Sequence, residues 1–359
     1  MSPPRRLTAL PQLRGMPVIL GNLLAALTVA SALVACGGGG GGGGPAEPVP
    51  PSILAAGWTQ EAASAPWGTR DAGGTLSHRG EIWMLGGWTY QGQQPPVTLT
   101  DAWASADGVV WRSASTPFTH GLYPMTASFH GEMLNMGGLR DNRLPTESIS
   151  SAIWTSPDGL AWTRRVSTAP WGPRIGASLT THNGQLWIIG GKSANTGDPA
   201  VLKRDVWRSS DGLNWTQVLA HAPWPARAFH CSASFGGQLW VIGGGDWDSL
   251  IGRADAWSSV DGVQWTQHAD APWQGRIWHA CQSYAGRLWL LGGRLLDPIV
   301  SVDDIWSTVD GDHWLASTGS VRPSARHAAY SVVHADRLWL IGGGANNSLP
   351  GDLWAFHVP

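Results

Sequence analysis

An all-β chain built from repeated four-stranded antiparallel units is the fold class this sequence predicts, and three observations predict it. A phrase clearest at Trp207-Arg208-Ser209-Ser210-Asp211-Gly212-Leu213-Asn214-Trp215 recurs in copies that begin at Trp103, Trp154, Trp257 and Trp306. The spacing of roughly fifty residues is the period of propeller blades. Each copy sets Asp-Gly between two short runs rich in Trp, Val, Thr and Ile, at Asp107-Gly108, Asp158-Gly159, Asp211-Gly212, Asp261-Gly262 and Asp310-Gly311. That arrangement is a strong hairpin signal. An apolar run closing on two glycines precedes each hairpin, with copies ending at Gly87, Gly138, Gly191, Gly244, Gly293 and Gly343.

Each unit therefore reads as four strands, a to d. Strand a is an apolar run such as Arg227 to Phe235, turning at Gly236-Gly237. Strand b is the buried run that the glycine pair ends, letting neighbouring groups approach closely. Strands c and d flank the Asp-Gly turn. In these features the chain resembles the kelch-repeat family, whose units carry a double glycine after strand b and an aromatic pair across strands c and d. Six such phrases in register with the Trp spacing imply six blades over about the last three hundred residues. The hairpin also resembles the Asp box of sialidase-type propellers, with one residue fewer between Asp and Gly.

The ends predict how the ring closes. The last unit has strand a (326–334), strand b (337–343) and strand c (352–357) and then stops. Gly57-Trp58-Thr59-Gln60 matches the strand-d phrases Asn214-Trp215-Thr216-Gln217 and Gln264-Trp265-Thr266-Gln267. The N-terminal segment is thus expected to complete the sixth blade and leave no open edge. Length alone allows two domains, but one repeat array over 57–359 argues for one.

Residues 1–36 read as a targeting segment. Arg5, Arg6 and Arg14 precede a mostly apolar stretch, and Leu33-Val34-Ala35-Cys36 resembles the lipobox of bacterial lipoproteins. The resemblance implies a lipidated Cys36 and, with Gly37 next, sorting toward the outer membrane. A plain signal peptide or a membrane-spanning helix is the alternative. The Gly-rich and Pro-rich stretch 37–56 is a tether, flexible first and stiffer afterwards. Of the cysteines, Cys231 and Cys281 lie on strands a of neighbouring units but one residue out of register. Their side chains are expected on opposite faces, as buried free thiols, with a disulfide the alternative.

Charge is sparse and nearly balanced, at 13% charged residues and a net charge of −2, so no field attracts nucleic acid. No nucleotide loop, thiol nucleophile or zinc spacing is present, and no metal or cofactor is expected. Nothing calls for self-assembly, so a monomer is expected.

Strand direction places the d-to-a and b-to-c connections at one end and the Asp-Gly turns at the other. The b-to-c loops vary most, and such loops on a rigid scaffold carry binding or catalysis. Comparison of the units separates structural from functional candidates. Arginine stands thirteen residues before the strand-b Trp position at Arg70, Arg174, Arg227, Arg276 and Arg326, and aspartate two before the strand-c Trp at Asp101, Asp205, Asp255, Asp304 and Asp352. The second unit has Gly121 and Ala152 instead, so both are lost together. Ion pairs within each unit, passing over the glycine pair, explain this better than a ring of ligand-binding arginines, because a buried arginine needs a partner.

Residues that break the repeat are the candidates for function. Trp88 and Trp247 begin b-to-c loops and Trp278 starts a strand a, so all three fall at the same end. Tyr123, Phe229 and Trp278 share one repeat position and are expected to form an aromatic collar. His230 and His279 share another, either as hydrogen-bonded core residues or as metal ligands. Asp246, Asp248 and Arg294 complete the set, with Arg253 nearby. Trp beside carboxylates and arginine suits a sugar or a cationic ligand; the competing reading is that Trp247 and Trp278 only cap the channel.

The expected function is a lipid-anchored envelope propeller that binds a glycan or surface protein through its long-loop face. The alternative is a carbohydrate-active enzyme. The kelch resemblance brings copper-radical oxidases of the galactose oxidase type into view, but the four tyrosines Tyr90, Tyr123, Tyr284 and Tyr330 cannot be placed with a Cys and His set. The chain is also similar in compartment, size and blade count to a six-bladed periplasmic kelch epimerase acting on sialic acid. On that analogy, Asp246 or Asp248 serves as acid-base group near His230 or His279.

Overall fold

In the computed structural model the chain divides into two units, Met1–Pro50 and Pro51–Pro359. The structure describes residues 57–89, 97–140, 149–269, 271–346 and 348–358, all in the second. The expected leader with Cys36, the tether 37–56 and Tyr90 lie outside the described residues.

Among the described residues the fold has six four-stranded antiparallel sheets, with a two-stranded and a three-stranded sheet beside them. Sheet one runs from Gly74–His78 through Glu81–Thr89 and Val97–Ser105 to Arg112–Ala114. Sheets two to five repeat the order, with first strands Leu122–Phe129, Ser178–His182, Cys231–Phe235 and Ala280–Tyr284. Sheet six takes Tyr330–His334, Arg337–Ile341 and Leu353–Phe356, and its fourth strand is Trp58–Ala62, in register Trp58↔Phe356. First strands touch their neighbours in the order one to six, and the sixth touches the first.

The Asp-Gly turns are built by their own side chains. Asp211 Oδ1 accepts from the backbone N–H of Leu213 (2.9 Å) and Asn214 (2.8 Å), and Ser209 Oγ accepts from Gly212 N–H (2.8 Å). Trp215 Nε1 then closes the turn on the Gly212 carbonyl at 3.2 Å. The glycine also lets the next sheet in. At Gly262 (φ 73°) a Cβ would sit 2.2 Å from the Trp187 ring of sheet three, and at Gly108 one would sit 2.1 Å from Trp339 of sheet six. A buried strand-b tryptophan thus covers the following sheet's turn, across the one-to-six boundary as elsewhere, except that Leu134 of sheet two takes this place against Gly212.

The core lies between sheets. Trp240 and Ile242 of sheet four pack on Leu288, Leu290 and Cys281 of sheet five. That packing corrects the expectation of free thiols: Cys231 and Cys281 form a disulfide, with Cα atoms 6.0 Å apart. When repeated sheets stack face to face, equivalent residues point the same way around the ring. A one-residue offset turns the two side chains toward each other, because successive side chains alternate faces. The offset that argued against the bond is what makes it.

All five Arg-Asp pairs form within their own sheets. Arg174 meets Asp205 at 2.9 Å, and Arg70–Asp101, Arg227–Asp255, Arg276–Asp304 and Arg326–Asp352 span 2.5 to 2.7 Å. Each arginine also donates to the carbonyl of the first glycine of the pair, as Arg174 does to Gly190 at 2.9 Å, and each aspartate accepts from the strand-c indole, as Asp205 does from Trp207 at 2.8 Å.

Candidate functional site

The residue after each repeat arginine pairs across the sheet with the residue after the glycine pair. The six couples are Asp71/Trp88, Leu122/Leu139, Ile175/Lys192, Ala228/Gly245, Ile277/Arg294 and His327/Gly344. One residue further on, Ala72, Tyr123, Gly176, Phe229, Trp278 and Ala328 all have positive φ, between 48° and 62°. Most side chains avoid that region. It is held by backbone hydrogen bonds that pass between sheets: Tyr123 to Ala72 (2.6 Å), Ala72 to Ala328 (3.0 Å), Ala328 to Trp278 (2.7 Å), Trp278 to Phe229 (3.0 Å) and Phe229 to Gly176 (2.7 Å). Five bonds thus string six residues around the axis.

This belt carries the expected aromatic collar. Tyr123 and Phe229 have ring centroids 5.2 Å apart, Phe229 and Trp278 5.1 Å, and Trp247 lies 5.2 Å from Trp278. The collar separates two spaces. Above it opens a cavity of about 460 Å³, to which Trp88, Tyr123, Phe229, Trp247, Asp248, Trp278 and Arg294 contribute together. The same cavity is lined by Asp71, Lys192, Asn195 and His327. Below it lies a channel space of about 200 Å³, lined by His230 and His279 as well as the collar.

Three expectations are corrected here. His230 and His279 are not in the upper cavity. His230 Nε2 meets Ser178 Oγ at 3.0 Å, and His279 Nε2 donates to the Ile242 carbonyl at 3.1 Å. Burial, reinforced by Arg227 and Arg276 respectively, pushes both imidazoles down to about 3, so they stay neutral. Asp246 does not face the cavity either: it is buried, accepts from Ser249 Oγ at 2.7 Å and lies 3.5 Å from Lys192 Nζ. No acid-base pairing of Asp246 with these histidines is present. The site draws on all six sheets, adding sheets three and six to the units one, two, four and five that supplied the candidates.

Asp71, Lys192 and His327 escaped the sequence reading although a signal was there. At the position after the repeat arginine, Asp71 and His327 replace Leu, Ile or Ala, and Lys192 is a second charge at the position that also holds Trp88 and Arg294. Lys192 is buried, with Nζ 2.6 Å from Asp248 and 5.7 Å above the Phe229 ring. Arg294 lies over Trp247 at 5.5 Å. Burial pushes the Asp71 carboxyl up to about 7, against the pull of the Arg294 charge. Burial pushes His327 down to about 3, with Arg294 adding to it, and its Nδ1 meets Ser301 Oγ at 2.8 Å. Both reach the space beside Gly344, where a Cβ would lie 2.7 Å from Asp71 Oδ2 and 2.6 Å from His327 Cε1. Glycine keeps that space open. Among the described residues no three His, Cys, Asp or Glu side chains converge as a metal site.

Sheet repetition, the axial belt and a pocket at the loop end define the class as a β-propeller of kelch-like architecture. Among solved structures the chain is similar to one titled "Structure of YjhT", at 15% identity and a TM-score of 0.63, covering 82% of this chain and 95% of that one. At that identity the likeness concerns the fold. No family model matches the sequence, and no curated protein does.

Proposed function

We propose that the protein is a six-bladed kelch-type propeller, closed by Trp58–Ala62, lipid-anchored in the bacterial envelope through Cys36, that binds a glycan or a glycan-bearing surface partner in its upper cavity. The observation that carries the reading is the cavity itself, where five aromatic side chains and a few polar groups converge from six sheets. Apolar faces with sparse, placed polar groups are how proteins hold sugars and similar ligands. The cyclic contacts of the first strands, the belt and the Gly108–Trp339 interlock support closure. The disulfide supports an oxidising compartment such as the periplasm or cell surface.

A glycan array probed with the full chain tests the reading. Binding to at least one glycan, weakened ten-fold or more by Trp247→Ala, is expected. Absence of any hit, or full binding by Trp247→Ala, sinks it. The second reading, a carbohydrate-active enzyme, is favoured by Asp71, whose carboxyl titrates near neutrality, where an acid-base group works best. Turnover of a bound glycan, abolished by Asp71→Asn with binding retained, decides for it.

A further inference from the structure

Asp71 is 5% exposed, lines the upper cavity, and among the described residues its carboxylate accepts no hydrogen bond. Buried carboxylate oxygens ordinarily have donors. Among the described residues none of the cavity's own donors reaches it: Lys192 is held by Asp248 at 2.6 Å, Arg294 uses Nη1 on Ser301 Oγ and His327 Nδ1, both at 3.4 Å, and Arg294 Nε and Trp278 Nε1 are themselves without partners. Its oxygens therefore open on the cavity, where donors come from solvent or from the hydroxyls of a ligand that displaces it.

Resting on the sugar-binding reading, we infer that Asp71 is the specificity-determining residue of the cavity and that it reads two neighbouring hydroxyls of a neutral pyranoside. A carboxylate has two acceptor oxygens and takes a paired donor bidentately, which a vicinal diol supplies. The C–H face of the sugar then lies on the indoles of Trp247 and Trp278. Charge disfavours an ionic ligand: Lys192 is already offset by Asp248 and the more distant Asp246, and Arg294 by Asp71 when ionised, so a charged ligand enters a half-buried space whose charges already have partners.

Proton linkage follows. The titratable and charged groups that face Asp71 are Arg294, His327, Tyr123 and Tyr330. Arg294 stays charged, His327 is neutral above about 3, and burial raises both tyrosines, so Asp71 alone changes between pH 6 and 8. Hydroxyl donors favour its ionised form. Affinity is therefore full above the free-state value and falls below it, by about ten-fold from pH 8 to pH 6.

The test is calorimetric titration of the full chain with methyl mannoside, galactoside and glucoside, their mono-deoxy analogues, and methyl glucuronide as the charged probe. One neutral glycoside is expected to bind, a deoxy analogue to bind at least ten-fold more weakly, and the pH slope to vanish in Asp71→Asn along with most of the affinity. Neutral binding that survives Asp71→Asn with its pH slope intact overturns this assignment and leaves the sugar reading standing. Preference for the glucuronide overturns the neutral class. No binding of any glycoside by the parent chain, with an empty glycan array, overturns both. If Asp71→Asn does not fold, titration of the parent at pH 7 in two buffers of different ionisation enthalpy replaces it: release of about half a proton per ligand is expected, and no release overturns the assignment.

Discussion

Sheets two and three share their turn chemistry and differ in how the glycine pair after strand b is held. In sheet three Arg174 spans the pair, donating to Gly190 O and to both oxygens of Asp205. Sheet two has Gly121 and Ala152 at those positions. There the ladder itself runs on: Leu122–Phe129 pairs with Glu132–Leu139 through Pro124↔Gly137 to Leu122↔Leu139. An arginine has no room at 121, because a Cβ would lie 1.8 Å from the Leu99 carbonyl. The comparison teaches that the ion pair substitutes for strand pairing. Both glycine pairs are left-handed, so what differs is what holds them: the ladder in sheet two, a buried guanidinium in sheet three.

The largest break in this comparison is Arg174→Ala. It strands Asp205 near a buried carbonyl and is expected to cost about 3 kcal/mol in denaturant unfolding; a cost within error of zero ends the argument. Acid gives the next effect. Burial raises Asp101, Asp255, Asp304 and Asp352, but hydrogen bonds and charge from their arginines more than offset it, holding all four below the usual carboxylate value. Their stabilisation is therefore complete above about pH 4 and lost as pH falls through the lower folded values. Unfolding followed from pH 5 to pH 2 should show this loss, and less of it in Arg326→Ala.

A smaller effect sharpens the point. The double variant Arg174→Ala with Asp205→Ala, which imitates sheet two, should cost less than the sum of the single changes, about 2 kcal/mol, because no charge is left alone. Smallest of all, Ser156→Ala in sheet two and Ser209→Ala in sheet three should each cost about 1 kcal/mol. Each serine accepts from its turn glycine at 2.8 Å, so unequal costs would mean the sheets differ beyond their glycine pairs.

Much of the fold was legible because the same local chemistry is written several times. Asp211, Gly212 and Trp215 specify a turn from within nine residues, and Arg174 and Asp205 announced themselves by disappearing together in unit two. The site was only half legible. Trp88, Trp247, Trp278 and Arg294 stood out as departures in residue type and do meet in one cavity. Asp71 looked like a neighbour of a structural arginine, and nothing local revealed that its carboxylate lacks a donor. His230 and His279 looked alike and prominent, yet the collar above them shuts them into a separate channel space.

Strand order, turn type, the closing strand's match to its repeat and the Arg-Asp partnership were determined by the sequence alone, since each rests on short-range pattern or on repetition. Tertiary structure decided which faces meet between sheets, and so made a disulfide of Cys231 and Cys281. It also decided which side of the collar each polar group occupies. Those outcomes depend on how sheets stack around an axis, and stacking sets burial and donor supply, which no single repeat contains.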